Sequence, residues 1–321
     1  MRSFLTRSAL SRTALACAAL PLVAAMPWGA GDEPGQALRV GTLLIGDGSV
    51  HEDALLWIRD GKVVDYGSDL KLPPGVEVIE RPYLTACAGF IDAQVATGGG
   101  NELGEGKEPF RPDARAVDAW NPASDEWDEL LRAGVTTALL APDRDSPVGG
   151  LACAVKTGGD ARIVSRGAYQ TMSFSKSAFR GDRKPTSLMG ALRTLHARLD
   201  GGDGEWGVMA RGRRALVVSC EADTEARAAA RLATDYPDAR VLVAQAYRAD
   251  RAIPQLKEAG VGVVLGPFSS SVSPRNTRIG GLLEEAGIAT AFASHHPAHD
   301  ATTARFTAAV AVRGGMSPAT G

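Results

Sequence analysis

From Gly89 onward the chain repeats one pattern: a short, continuously apolar run followed by a stretch of helical periodicity. GFIDAQ precedes EWDELLRAG, VTTALLAP comes next, ALVVSC precedes TEARAAARLATDY, ARVLVAQA precedes RAIPQLKEAG, and VGVVLGP precedes TRIGGLLEEAG, with IATAFAS and TTARFTAAVAVRGG closing the series. Apolar runs of strand length that do not alternate with polar residues need cover on both faces. With helices between them, that means parallel strands inside a helical layer. Gly134 follows EWDELLRA, where a left-handed glycine ends a helix. None of the runs leads into a G-x-G-x-x-G turn, so a repeated βα barrel is favoured over a doubly wound sheet. The predicted fold class is α/β, a TIM-like (β/α) barrel over 86–321. It is incomplete as read, because the runs supply six strands and not eight. Between Pro142 and Asp203 the rhythm is lost: SPVGGLACAVKTGGDARIVSRGAY reads as a hairpin-rich insertion, and PTSLMGALRTLHARL as a helix.

Upstream, residues 38–85 predict a small β-sandwich-type unit. ALRVGTLLIGDG, DALLWIRDGKVVDYG and VEVIERPYL are rich in β-branched residues, and Asp-Gly pairs mark tight turns between them. At the N-terminus Arg2, Arg7 and Arg12 precede TALACAALPLVAA, an apolar run of signal-peptide length that Pro21 interrupts. Cleavage is expected after Ala25 or as late as Ala30, giving an exported, periplasmic or extracellular protein with no transmembrane segment in the mature chain. Ala14 stands where a lipobox around Cys17 would want leucine. The remaining Cys87, Cys153 and Cys220 lack C-x-x-C spacing, which argues against a zinc ribbon or a disulfide scaffold. A formal charge of -2 without a long basic run excludes an electrostatically driven nucleic-acid partner. A small-molecule ligand and a homo-oligomer are the partners that fit.

Taken in order, DGKVVDYG, AGFIDAQ, AGVTTALLAP, the VGG turn before AVKTGG, VGVVLGP and AVRGGMSP resemble the amidohydrolase superfamily in its imidazolonepropionase-like branch, from about Gly41 to the C-terminus. The resemblance implies a metal-dependent (β/α) barrel with a small β-sandwich built from strands before and after it. It also implies divalent metal, commonly zinc, that activates water to hydrolyse non-peptide C–N bonds, with ligands at the C-terminal ends of the strands. Those motifs are degenerate here. The first strand should end in His-x-His, two residues on one face; the positions hold Gln94 and Ala96, with Asp92 preceding them. ALVVSC offers Ser219 and Cys220 where a histidine is implied, ARVLVAQA offers Gln245 or Ala246, and His295 stands where the last strand should present aspartate.

The expected pocket therefore comprises Asp92, Gln94, Ala96, Cys220, Gln245, His295 and His296, with no cofactor, in a protein whose catalysis is weak or lost. Two alternatives stay open. One is an active hydrolase with an unorthodox site near His295 and His296, where in the cluster His295, His296, His299 and Asp300 the three imidazoles with Cys220 would hold Zn²⁺ or Cu²⁺; Ser294, His296 and Asp300 as a triad is a separate template. The other is a structural or interaction module at the cell surface. Lys156 compares with the bridging carboxylated lysine of some superfamily members, but AVKTGG falls in the insertion and an exposed lysine is the common case. The Gly-rich VGG and TGGD turns and the polar SSSVSP loop need no ligand, and Trp120, Trp127 and Trp206 read as packing residues. The resemblance also implies return strands beyond AVRGGMSPATG that this sequence does not include, hence the expectation of a truncated C-terminus.

Overall fold

The computed structural model of the chain describes residues 34–159, 162–269 and 271–319; the expected export segment, with Cys17 in it, lies outside them. Two compact units emerge. One comprises the described part of Met1–Leu43 with Val50–Ala86, and the other Leu44–Ser49 with Cys87–Gly321.

The smaller unit is a single four-stranded sheet of β1 (Gln36–Leu44), β2 (Val50–Arg59), β3 (Lys62–Gly67) and β4 (Glu77–Cys87), in the order β3-β2-β1-β4. Its hairpin is set by Asp60-Gly61. Both residues adopt positive φ, 52° and 69°, and Arg59 pairs with Lys62 across the turn, as a two-residue primed turn requires. Val40, Leu43 and Ala54 form its small buried cluster. β3 and β4 leave Val63, Tyr66, Tyr83 and Leu84 exposed.

The larger unit is an eight-stranded, nearly closed barrel. Its strands are β5 (Phe90–Val95), β6 (Val135–Leu140), β7 (Val148–Lys156), β8 (Ile163–Ser173), β9 (Ala215–Ser219), β10 (Arg240–Ala244), β11 (Gly262–Leu265) and β12 (Thr290–Phe292), hydrogen-bonded in sequence order. The predicted insertion turns out to be wall: β7 pairs antiparallel with β6 and with β8, and β8 returns parallel to β9. It supplies the two strands that the six apolar runs lack. The physical reason lies in LACAV, which is buried throughout and so behaves as a central strand despite the glycines before it. Beyond the strand ends, the amide of His295 donates to Gln94 O (3.0 Å) and that of Ala96 to His296 O (2.8 Å), joining the last strand's exit to the first strand.

The helices α1 (Glu126–Arg132), α2 (Leu188–Gly201), α3 (Gly204–Ala210), α4 (Asp223–Asp235), α5 (Ile253–Glu258), α6 (Pro274–Thr277), α7 (Ile279–Glu285) and α8 (Thr303–Arg313) alternate with the later strands. α1 ends as its sequence predicts, with Gly134 at φ 85°. α4 starts where the Glu225 carboxylate accepts the amides of Glu221 and Ala222 (2.6 and 3.1 Å), and it buries Ala226, Ala229, Leu232 and Ala233. Leu232 alone contributes roughly 1.5–3 kcal/mol by that burial. The lumen holds mostly small side chains, among them Ala141, Ala152, Val217, Ala244, Val264 and Ala293, around Tyr169, whose hydroxyl donates to Ala93 O (3.1 Å). Among the described residues no helix is long and apolar enough to cross a membrane.

Candidate functional site

At the C-terminal ends of β5, β6, β10, β11 and β12 the barrel opens into a cavity of about 160 Å³. Gln94, Ala96, Gln245 and His295 line it together with Asp143, Arg144, Tyr247 and His299. Barrel folds gather their chemistry at this end because loops from several strands converge there. Four of the seven residues expected from sequence thus share one cavity, and Gln94 and Ala96 both face it, as residues two apart on a strand should.

The other three lie elsewhere, for identifiable reasons. Cys220 is buried with Val218, Val243 and Ala226 on the helix side of the sheet, whereas Val217 packs in the lumen; the strand alternation then gives the lumen side to Ser219. Burial pushes the Cys220 thiol well up, which keeps it protonated. His296 points away from the mouth. Its Nδ1 meets Thr97 Oγ1 (2.9 Å) and its Nε2 meets Glu129 Oε2 of α1 (3.0 Å), with 2 % of the residue exposed. Both ring nitrogens are engaged there, Ser294 Oγ accepts the backbone amide of His296 and its side chain also bonds the Asp92 carboxyl, and Asp300 binds Thr302, so no Ser294–His296–Asp300 triad forms. Asp92 sits at the seam. Its carboxylate accepts the amide of Ser294 (3.1 and 3.2 Å) and that of Gln94 (3.2 Å). Burial raises its pKa in spite of these bonds. β5 takes three steps from Asp92 to Val95 where β6 takes two from Ala138 to Leu140, a bulge that turns Asp92 away from the face it would otherwise share with Gln94. Lys156 ends the antiparallel β7 and therefore lies at the opposite end of β6, donating to Thr137 Oγ1 (2.8 Å).

Two of the lining residues have an unusual backbone. Gln245 and His295 adopt φ 59° and 58°, left-handed values that cost a side-chain-bearing residue about 1–2 kcal/mol. Such strain persists where the surroundings fix it, and it concentrates at functional sites. The polar inventory is equally unusual. Gln245 is 1 % exposed and both its Oε1 and Nε2 are buried without a partner; Gln94 is 3 % exposed and its Oε1 is likewise unpartnered. Each such atom costs about 1–3 kcal/mol when left unsatisfied. Burial lowers the His295 pKa to about 3, helped by Arg144 and His299, so its imidazole is neutral near pH 7. Burial and the neighbouring Asp145 raise the Asp143 pKa, while Arg144 opposes them.

This donor set does not fit the divalent metal that the resemblance implies. Carboxamides are poor partners for zinc beside imidazole, thiolate and carboxylate, and Ala96 has no donor at all. Among the described residues no three His, Cys, Asp or Glu side chains come together to hold a cation.

With its barrel and small sheet, the chain has the amidohydrolase fold. It is similar to the structure of an amidohydrolase from Thermotoga maritima MSB8, with a TM-score of 0.76 at 19% identity over 88% of this chain and 85% of that one. A putative prolidase from Bifidobacterium longum gives a TM-score of 0.52 at 12% identity, covering 89% of this chain and 80% of its own. Molinate hydrolase gives 0.50 at 13% identity, covering 89% and 82%. No protein-family model and no curated protein matches the sequence.

Sequence reasoning singled out His299 only as a possible metal ligand and missed Asp143, Arg144 and Tyr247. Their signal was position: Asp143 and Arg144 directly follow the predicted strand VTTALLAP, and Tyr247 follows ARVLVAQA, where a barrel places its mouth.

Proposed function

We propose that this is an exported amidohydrolase-fold protein whose barrel mouth binds a small polar molecule and has lost the metal-dependent hydrolysis of C–N bonds. One observation carries the reading: four of the five positions where the resemblance implies metal ligands line a single cavity, the Ser219–Cys220 position lying outside it, and the four hold two carboxamides, a methyl group and a burial-neutralised imidazole. The residues that line the mouth suit hydrogen bonding to a neutral or locally polar guest better than activation of water. The basic and then apolar N-terminal segment supports export. The exposed apolar side chains of β3 and β4 are compatible with self-association, which sedimentation at graded concentrations would read.

The test combines elemental analysis of the purified protein with assays of cyclic-amide and dipeptide hydrolysis in the presence and absence of Zn²⁺. Substoichiometric metal and no zinc-dependent turnover are expected. Stoichiometric metal with turnover that disappears in His295→Ala would overturn the proposal.

A further inference from the structure

The glutamine atoms without partners, Oε1 of Gln94 and both ends of the Gln245 carboxamide, are sealed from solvent, so a guest entering the mouth meets other groups first. Three of those groups are donors. Arg144 lines the cavity, and its ion-pair partner among the described residues is Glu221, whose carboxylate stands 3.8 Å from Nη1, too far for a hydrogen bond. Both ends of that pair reach water, which makes it weak and replaceable. His295 presents an imidazole that burial keeps neutral. Among the described residues neither of its ring nitrogens has a hydrogen-bond partner, and neither is sealed off. Tyr247 donates its hydroxyl to Pro267 O over a long 3.4 Å, a bond that a better acceptor would displace.

Charge decides what such donors want. Arg144 is close enough to both neighbours to act on them: it disfavours the charged form of His295 and favours that of Tyr247. One positive field thus reaches both side chains. Asp143, the acid in the lining, turns Oδ2 toward the neighbouring loop, where a Cβ on Gly104 would stand 2.7 Å from it. The full charge on offer is therefore the single one of Arg144, because His295 is neutral. A carboxylate matches it, whereas a phosphoryl group brings about 1.5–2 negative charges and would leave the excess unpaired beside Asp143. Size sets the last limit. A cavity of about 160 Å³ is smaller than the roughly 300–1,000 Å³ that drug-sized ligands occupy.

We propose that the mouth binds a small monocarboxylate, its oxygens taken by the Arg144 guanidinium, with the His295 ring N–H and the Tyr247 hydroxyl donating to the same group. This rests on the reading of the mouth as a ligand pocket; it gives the locally polar guest a sign and a chemical class. A guanidinium fork fits the two oxygens of a carboxylate, and the two neutral donors fill the lone pairs that it leaves.

The probe is acetate, compared with acetamide, which has the same size and no charge, and with inorganic phosphate. Binding to the full-length protein, in a buffer free of other carboxylates and phosphate, is followed through the ring C–H resonances of His295, assigned by their loss in His295→Asn. Acetate should shift them saturably, and acetamide and phosphate should each bind about tenfold more weakly or less. Arg144→Gln should weaken acetate about tenfold or more, and Arg144→Lys by a smaller factor, since it keeps the charge and loses the fork. Glu221→Gln removes the competing carboxylate and should tighten acetate by roughly two- to fivefold. A shift that never saturates, equal affinity for acetate and acetamide, or acetate binding undiminished in Arg144→Gln would each overturn the proposal. Phosphate binding more tightly than acetate through the same arginine would overturn the carboxylate class and leave the pocket reading standing. Stoichiometric zinc with turnover would instead remove the pocket reading itself.

Discussion

Gln245 and His295 make separable predictions at the scale of single side chains. Gln245→Met keeps the unbranched length and removes two buried polar atoms that have no partner in the free protein. Each unsatisfied atom costs about 1–3 kcal/mol, so the variant should melt at the same temperature as the parent or higher. A drop of several degrees on thermal denaturation would mean that the carboxamide has an internal partner. His295 bears on pH. Its folded pKa is depressed to about 3 from the ordinary 6.5, so the folded state resists protonation. The stability this represents is present in full above about pH 6.5 and is lost as pH falls toward 3, by up to about 1.4 kcal/mol for each pH unit. His295→Asn, whose side chain tolerates the left-handed backbone, should flatten that part of the profile. Urea denaturation of both proteins at neutral and acid pH checks it, since the carboxylates common to the two cancel in the comparison. If the two curves run parallel, the buried neutral imidazole is not what the acid limb reports.

At the scale of elements, the segment leaving β12 is held by His296, whose ring bridges Thr97 and Glu129 of α1 while its carbonyl accepts the Ala96 amide. That clamp fixes the neighbouring His295 in its strained conformation. His296→Phe fills the same space without the two ring hydrogen bonds and should cost about 1–3 kcal/mol, the Glu129 end contributing less because it is largely exposed. Hydrogen exchange should speed up selectively at the Ala96 and His295 amides; exchange that rises evenly across the barrel would count against a local clamp. Much of this level was legible beforehand. The Asp60-Gly61 turn, the glycine that ends α1 and the six parallel strands follow from local chemistry. Two features were not. The β7–β8 hairpin looks like an insertion because Gly149 and Gly150 dilute an apolar strand, and only the gap left between β6 and β9 shows it to be wall. The bulge in β5 has no sequence mark at all, yet it decides that Asp92 serves the seam and not the cavity. The orientations of Cys220 and His296 were hidden for a related reason: position at a strand end is readable, but the face is set by alternation and by which helix covers it.

For the whole molecule the open question is the compartment, and the cysteines give it a measurable form. Removal of the leader would take Cys17 with it and leave Cys87, Cys153 and Cys220, all free thiols in the structure. Cys87 is exposed, whereas Cys153 and Cys220 are buried, the former with its pKa pushed up to about 11 by that burial. Reactivity follows thiolate and access together, so the processed, reduced protein should titrate with a thiol reagent to one equivalent when native and three when denatured. A fourth equivalent on denaturation would show that Cys17, and hence the leader, is still attached. An oxidising compartment acts on the same surface: among the described residues Cys87 is the accessible cysteine and pairs with neither Cys153 nor Cys220, so oxidation there should yield mixed disulfides or Cys87-linked dimers and leave the two core thiols reduced. Intact mass of protein recovered from the extracytoplasmic fraction reads the cleavage site and the oxidation state in one measurement. Full-length chain confined to the cytoplasm, with all its cysteines reduced, would remove export from the proposal while leaving the barrel mouth and its two glutamines as they are.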